Sequence, residues 1–311
     1  MIELADRIEL GPLDELPPSA AQAYFLAASM SDEDRRSTDY VTQYPKPRAV
    51  LVKHVPIRPI YFGPEGPREE FAYEDKYFLT ELMQVFPVVT KAPVIRIAEW
   101  HTWPSDAPVV SLDGGYGWTQ YPRATQELAR ARLDQASVAA VVKGFLALDP
   151  VSRNRLRLPL RRLNAFLLSE SLSDQAIEAG VALESLLSEP GDPKEGIAHR
   201  VAVRAALLTE VELGARKSVS KRVRDLYGLR SVAAHGADLD EVIRERAPWG
   251  VEGRFRRPEA IRQVLDDAIE LIPTVVKAIL RLGSFPEYGS LDLRPDVPRG
   301  SDQAHEQGEQ A

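Results

Sequence analysis

Arg230, Ser231 and His235, in the run YGLRSVAAHG (227–236), are the residues of this chain best suited to chemistry. A guanidinium stays charged and matches the geometry of a phosphate, while an imidazole titrates near neutrality and can take or give a proton. Together they can handle a phosphate ester, one group moving protons and the other holding charge. Ser231 adds a hydroxyl that can hydrogen-bond a phosphate oxygen. The run otherwise reads as the end of a buried helix, and Gly236 suits the position just past a helix C-terminus. Five residues correspond to about 140° around an ideal helix, so Arg230 and His235 are not stacked on one face. They converge only if the helix loosens near its end or the long arginine reaches round.

The elements that must position these groups follow from apolar spacing. Leu156, Leu160, Leu163 and Leu167 mark one helical face, and Ile177 and Val181 begin a second. Ile197, Val201, Leu208 and Val211 mark a third, and Val219, Val223 and Leu226 a fourth that ends at His235 and Gly236. Extending three of these stripes by one step reaches Glu184, Arg204 and Arg230 in turn. A charge on an apolar face is costly unless it is paired. Facing stripes carrying two arginines and one carboxylate therefore predict that they meet, most simply as a Glu184–Arg204 ion pair that fixes helix packing. Residues 260–282 predict a long closing helix in which Pro273 introduces a kink.

Upstream of about residue 122 the texture differs. Residues 16–30 read as a short helix, and 48–62 and 87–103, rich in Val, Ile and aromatics, as strands. GPEGPREE (63–70) reads as a loop and DGGYGWTQYP (113–122) as turn chemistry. Residues 73–86 fit helix or strand equally. The expected fold class is α+β: a mixed N-terminal domain at 1–122, an all-α helical bundle at 123–288 and a disordered acidic tail at 289–311.

Composition narrows the function classes. There is no cysteine among 311 residues, which removes disulfides, thiolate nucleophiles and cysteine–zinc sites and fits a reducing cytoplasm. The N-terminal residues predict no signal peptide, and no apolar run approaches the ~20 residues of a membrane span. The net charge of −7 is unevenly spread. Residues 1–149 hold 15 Lys and Arg against 21 Asp and Glu, whereas residues 150–290 hold 22 against 20. The acidity therefore lies outside the segment with the Arg/His run and does not veto a local basic patch. Two such patches are visible: Arg153, Arg155, Arg157, Arg161 and Arg162, and then Arg216, Lys217, Lys221, Arg222 and Arg224. Glu210, Glu212 and Asp225 dilute the second.

The wider pattern resembles a known family. RLPLRRLNAFLLSESLSDQAIEAGVALESLL (157–187), HRVAVRAALL (199–208) and LYGLRSVAAHG (226–236) together resemble the Apea-like HEPN domain family over roughly residues 145–283. In that family an ALE-x-L helix precedes an R-x-A helix and a Y-x-x-R-S-x-x-x-H-G element. Residues 1–122 show no such resemblance. The likeness implies an antiparallel helical bundle that dimerises, the Arg and His of two protomers lining a cleft that cleaves RNA without metal or cofactor. On this reading His235 moves a proton at the ribose 2′-hydroxyl and Arg230 holds the scissile phosphate. Ser231 stands where many ribonuclease members carry Asn, Asp or His. Glu184 orients Arg230 or Arg204, and Tyr227 supports the site. The second basic patch would contact RNA.

Other candidates carry less. Trp100, His101 and Trp103 in EWHTWP suit a core or dimer contact better than base stacking. His54, His101, His199, His235 and His305 show no metal-ligand spacing, and DGGYG lacks the context of a phosphate loop. Three functions stay open: a HEPN-type metal-independent endoribonuclease in defence or stress, a non-catalytic dimerisation or nucleic-acid-binding module with an N-terminal sensor, and a regulator that holds a nucleotide or small phosphate.

Overall fold

The structure is a computed structural model and describes residues 2–5, 8–11, 50–53, 78–94, 98–100, 116–118, 134–193, 195–243, 255 and 257–292. Its body is a packed set of helices: α1 (Gln135–Ala147), α2 (Pro150–Leu168), α3 (Leu172–Leu187), α4 (Ile197–Thr209), α5 (Leu213–Ala234), α6 (Leu239–Ile243), α7 (Pro258–Leu282) and α8 (Tyr288–Asp292). α3 is the centre, touching α2, α4, α5, α6 and α7. Its buried positions include Ala176, Ala179, Gly180 and Ala182, whose small side chains let neighbouring backbones approach closely. α7 supplies the longest apolar face. Ile261, Val264, Leu265, Ala268, Ile272, Val275, Val276 and Ile279 recur three or four apart and are buried. Pro273 lies inside it, also buried.

Local chemistry sets the helix starts. Asp149 caps α2, accepting from the N–H groups of Val151 and Ser152, and Pro150 occupies the first turn, where its missing N–H costs nothing. Ser171 caps α3 through the Asp174 N–H.

The expected α+β class is corrected: the described residues are mostly helical. The described strands are five pieces of three or four residues. β1 (Ile2–Ala5), β2 (Ile8–Gly11) and β3 (Val50–Lys53) form one antiparallel sheet, and β4 (Ala98–Trp100) pairs with β5 (Tyr116–Trp118). Residues 87–103, expected to be a strand, begin instead with the helical turn Pro87–Thr90, which ends on Lys91 at φ 51°. Pro87 presets the helical φ, and that outweighs the β preference of Val88 and Val89. Tyr116–Trp118, expected to be turn, is a strand. Residues 78–83, ambiguous by periodicity, are helical. The readings at 16–30 and 63–70 lie outside the described residues.

The helical core also reaches across the expected boundaries. Leu82, Val85, Phe86 and Val88 belong to the same apolar cluster as Phe145, Leu183 and Ile272. The Asn164 side chain fastens this segment, its oxygen accepting from the Val94 N–H at 2.8 Å and its nitrogen donating to the Val94 carbonyl at 3.1 Å. At the other end, residues 289–292 are not disordered tail. They belong to α8, where Tyr288 and Leu291 are buried. The rest of the tail lies outside the described residues.

Candidate functional site

The three charges read from the apolar stripes separate into two environments. Arg204 lies on the buried face of α4 and is 2% exposed. Every guanidinium nitrogen is used. Nη1 donates to the Leu187 carbonyl at 2.9 Å and to Asp192, Nη2 to Asp192 and Asp292, and Nε to Asp292. The Tyr288 ring lies 4.9 Å from the guanidinium centre, and its hydroxyl donates to the Leu186 carbonyl at 2.5 Å. Burial opposes the charge on Arg204, but the two carboxylates outweigh it and raise its pKa. In turn the Arg204 hydrogen bonds hold the Asp192 carboxyl down at about 2. This cluster joins α4 to the end of α3 and to α8. The expected Glu184–Arg204 pair is therefore corrected, because Arg204 takes carboxylates from a turn and from the last helix.

Glu184 pairs with Arg230 instead, Oε2 accepting from Nη1 at 2.5 Å. The side chains are 31% and 28% exposed, because the stripe through Ile177, Val181 and Glu184 is the half-buried flank of α3 and not its core face. Tyr227 donates to the same carboxylate oxygen at 3.4 Å, and its ring lies 5.5 Å from the Arg230 guanidinium. Burial, then the Glu184 charge, pushes the Tyr227 phenol well above its ordinary range, so it remains a hydrogen-bond donor. The aliphatic part of Arg230 lies across Gly180 of α3, where a β-carbon would collide with its Cδ. Gly180 is thus the seat of the site's arginine.

His235 occupies the end of α5. Its N–H returns to the Ser231 carbonyl, and the Gly236 and Ala237 N–H groups return to those of Ala233 and Val232. Gly236 takes φ 89°, a conformation that favours glycine. The following loop is latched to the start of α3. Ser173 donates to the Ala237 carbonyl and accepts from the Leu239 N–H, while the Asp240 carboxylate receives the Leu172 N–H at 3.2 Å. The backbone carrying His235 is therefore held, while Ser231 and His235 themselves are exposed. Among the described residues no hydrogen bond joins His235 to Arg230. One faces solvent and the other α3, as the angular offset between the positions requires.

The basic patches divide as well. Arg153 donates to the Leu146 and Leu148 carbonyls and Arg155 to Ser188, Arg157 pairs with Glu81, and Arg162 with Glu178. In the second patch Arg216 donates to the Glu210 carbonyl and Arg222 to that of Asp267. Lys217, Lys221 and Arg224 are exposed. Among the described residues no three His, Asp or Glu side chains are grouped to hold a metal ion, and no helix is long and apolar enough to cross a membrane. His199 is exposed. His54, His101, His305 and Trp103 lie outside the described residues.

Sequence reasoning missed Gly180, Asp192, Asp292 and Tyr288. A glycine inside an otherwise regular helical pattern was the one available signal for the first. The others sit in a turn and a short terminal helix, where periodicity is silent. No family model, curated protein or solved structure matches this chain.

Proposed function

We propose that the helical domain is a metal-independent endoribonuclease of the HEPN type, working as a homodimer on RNA in the cytoplasm. The observation that carries this reading is the end of α5. An exposed histidine on a latched backbone stands beside an exposed serine, next to an arginine anchored by Glu184 yet still 28% exposed. Nη1 is taken by Glu184, and among the described residues the other guanidinium nitrogens make no hydrogen bond that would compete with a phosphate.

In this mechanism His235 removes the ribose 2′-hydroxyl proton, the 2′-oxygen attacks phosphorus, and the bond to the 5′-oxygen breaks. The leaving oxygen takes a proton from an imidazolium, leaving a 2′,3′-cyclic phosphate and a 5′-hydroxyl. Arg230 neutralises the charge gathered on the phosphate oxygens. Within one chain Arg230 and His235 face apart, and a second copy brings an arginine of one protomer opposite the histidine of the other. Glu184 and Tyr227 position Arg230, and Arg204 acts only through the packing of the bundle.

A second reading is a non-catalytic dimerisation or nucleic-acid-binding module. It is favoured by the close Glu184–Arg230 pair and by Ser231, which cannot ionise where a stronger acid or base would help.

The test is cleavage of a fluorescent single-stranded RNA by the full chain in EDTA, with His235→Ala alongside. Cleavage to cyclic phosphate ends that falls at least 100-fold in the variant is the expected outcome. Intact RNA with both proteins favours the second reading.

A further inference from the structure

The residues that hold Arg230 and the residue that meets the chain just past His235 share one face of α3. On an ideal helix positions 173, 180 and 184 lie within about 20° of one line along the axis. Gly180 and Glu184 on that line seat and pair Arg230. Ser173, about two turns before Gly180, bonds to Ala237 and Leu239. The contacts run in opposite senses, 173 with 237 and 239, then 184 with 230 and 227, so α5 lies antiparallel to α3. Both ends of the interval from Arg230 to His235 are thus referred to one straight element.

Ser173 makes its contact through the hydroxyl alone. Oγ donates to the Ala237 carbonyl at 3.2 Å and accepts from the Leu239 N–H at 3.1 Å, closing the turn on either side of Asp238. Ala237 and Leu239 are buried, so loss of the hydroxyl strips a partner from two backbone groups that water replaces poorly. Asp240 adds a second tie to the Leu172 N–H, and its own N–H donates to Asp238 Oδ1 at 2.9 Å. The bonds of Gly236 and Ala237 to Ala233 and Val232 return to α5 itself. They turn the chain but do not set it against α3.

We propose that Ser173 is a positioning residue for His235. Its hydroxyl fixes residues 235–239 to α3, so that one face of one helix sets the imidazole in register with Arg230. The inference deepens the ribonuclease reading and rests on it for the chemistry. Helix ends fray, and His235 is the residue at which α5 stops. Without the tie the imidazole keeps its exposure and its basicity but loses its place. A proton acceptor displaced by about 1 Å from a bound 2′-hydroxyl can cost about 100-fold in rate. The Arg230 seat lies further along α3 and is untouched, so the loss falls on kcat and spares KM.

The test compares the full wild-type chain with Ser173→Ala, Ser173→Thr and Ser171→Ala. Threonine keeps the hydroxyl. Ser171→Ala removes the cap of the same helix, whose hydroxyl accepts from the Asp174 N–H and makes no bond to the His235 loop among the described residues. It shows what loosening the start of α3 does without cutting the tie. Two quantities are read below the unfolding transition. One is kcat and KM on the fluorescent single-stranded RNA in EDTA. The other is amide hydrogen exchange at Leu239, whose N–H donates to the Ser173 hydroxyl.

In Ser173→Ala, Leu239 exchange should be about tenfold faster and kcat lower by about tenfold or more, with KM within about twofold. Ser173→Thr should restore both, and Ser171→Ala should match wild type in kcat. Unchanged Leu239 exchange in Ser173→Ala overturns the tie, whatever the activity. Faster exchange with unchanged kcat overturns the positioning role and leaves the ribonuclease. An equal fall of kcat in Ser171→Ala or in Ser173→Thr assigns the effect to the helix start as a whole and also overturns it. No cleavage by wild type removes the ribonuclease and with it any role at the reaction, while the exchange measurement still decides the tie.

Discussion

Arg204 and Arg230 each stand one helical turn beyond the apolar stripe of adjacent helices, yet they have become different kinds of residue. Arg204 is enclosed by Asp192, Asp292, a backbone carbonyl and the Tyr288 ring, with no donor left over. Arg230 lies on a glycine seat at a half-exposed flank, with Glu184 its one carboxylate partner among the described residues. A buried charge must have all its bonds made inside the protein, and a residue so satisfied has nothing to offer a ligand. A charge at the rim can be held in place by a single partner and keep the rest of its hydrogen-bonding capacity for a substrate. The contrast lies in the completeness of bonding and not in residue type.

The largest effect should come from breaking the buried member. Arg204→Met leaves Asp192 and Asp292 facing each other without a cation and should cost about 3–5 kcal/mol, read by urea denaturation. Arg230→Ala, at a pair about 30% exposed, should cost about 1 kcal/mol or less while removing cleavage. Equal destabilisation by the two would erase the distinction.

Acid should sharpen it. With its folded pKa near 2 against an ordinary 3.8, the Asp192 carboxylate stabilises the fold above pH ~4, an effect lost as pH falls through 2. Thermal unfolding followed from pH 5 to pH 2 should show about 2 kcal/mol of this decline in the wild type and not in Asp192→Asn. An identical acid decline in the variant would move the stabilisation elsewhere.

The smallest change in stability, and the most diagnostic, is Gly180→Ala. Alanine favours the helix by up to about 1 kcal/mol, offsetting the displaced contact, so the unfolding midpoint should barely move. The Arg230 stem cannot keep its place, and cleavage should fall towards that of Arg230→Ala. Full activity in this variant would mean that the seat is not needed.

Much of the bundle was legible because its helices are amphipathic. Leu156, Leu160 and Leu163, or the row from Ile261 to Ile279, repeat at helical spacing and are buried as that spacing demands. The motif run was legible too, since glycine after histidine marks a helix end. Partner choice was not. Arg204 announced that it needed an anion, but Asp192 and Asp292 lie 12 residues before and 88 residues after it, in segments with no period. Val211 extended a stripe on paper and is 84% exposed, because α4 stops at Thr209. The start of the 87–103 strand was over-read, because valines after a proline also suit a short helical turn packed on a core.

The Asn164 clasp on Val94 and the burial of Leu82, Val85, Phe86 and Val88 also bear on how this protein divides into parts. A fragment begun at residue 123 would lack four core side chains and leave the buried amide of Asn164 facing a gap. The packed unit therefore includes Leu82–Val94 upstream and Tyr288–Asp292 downstream. The helical domain is not a cassette that can be cut at its first helix and grafted elsewhere, since Arg157 of α2 is also paired with Glu81 of the upstream segment.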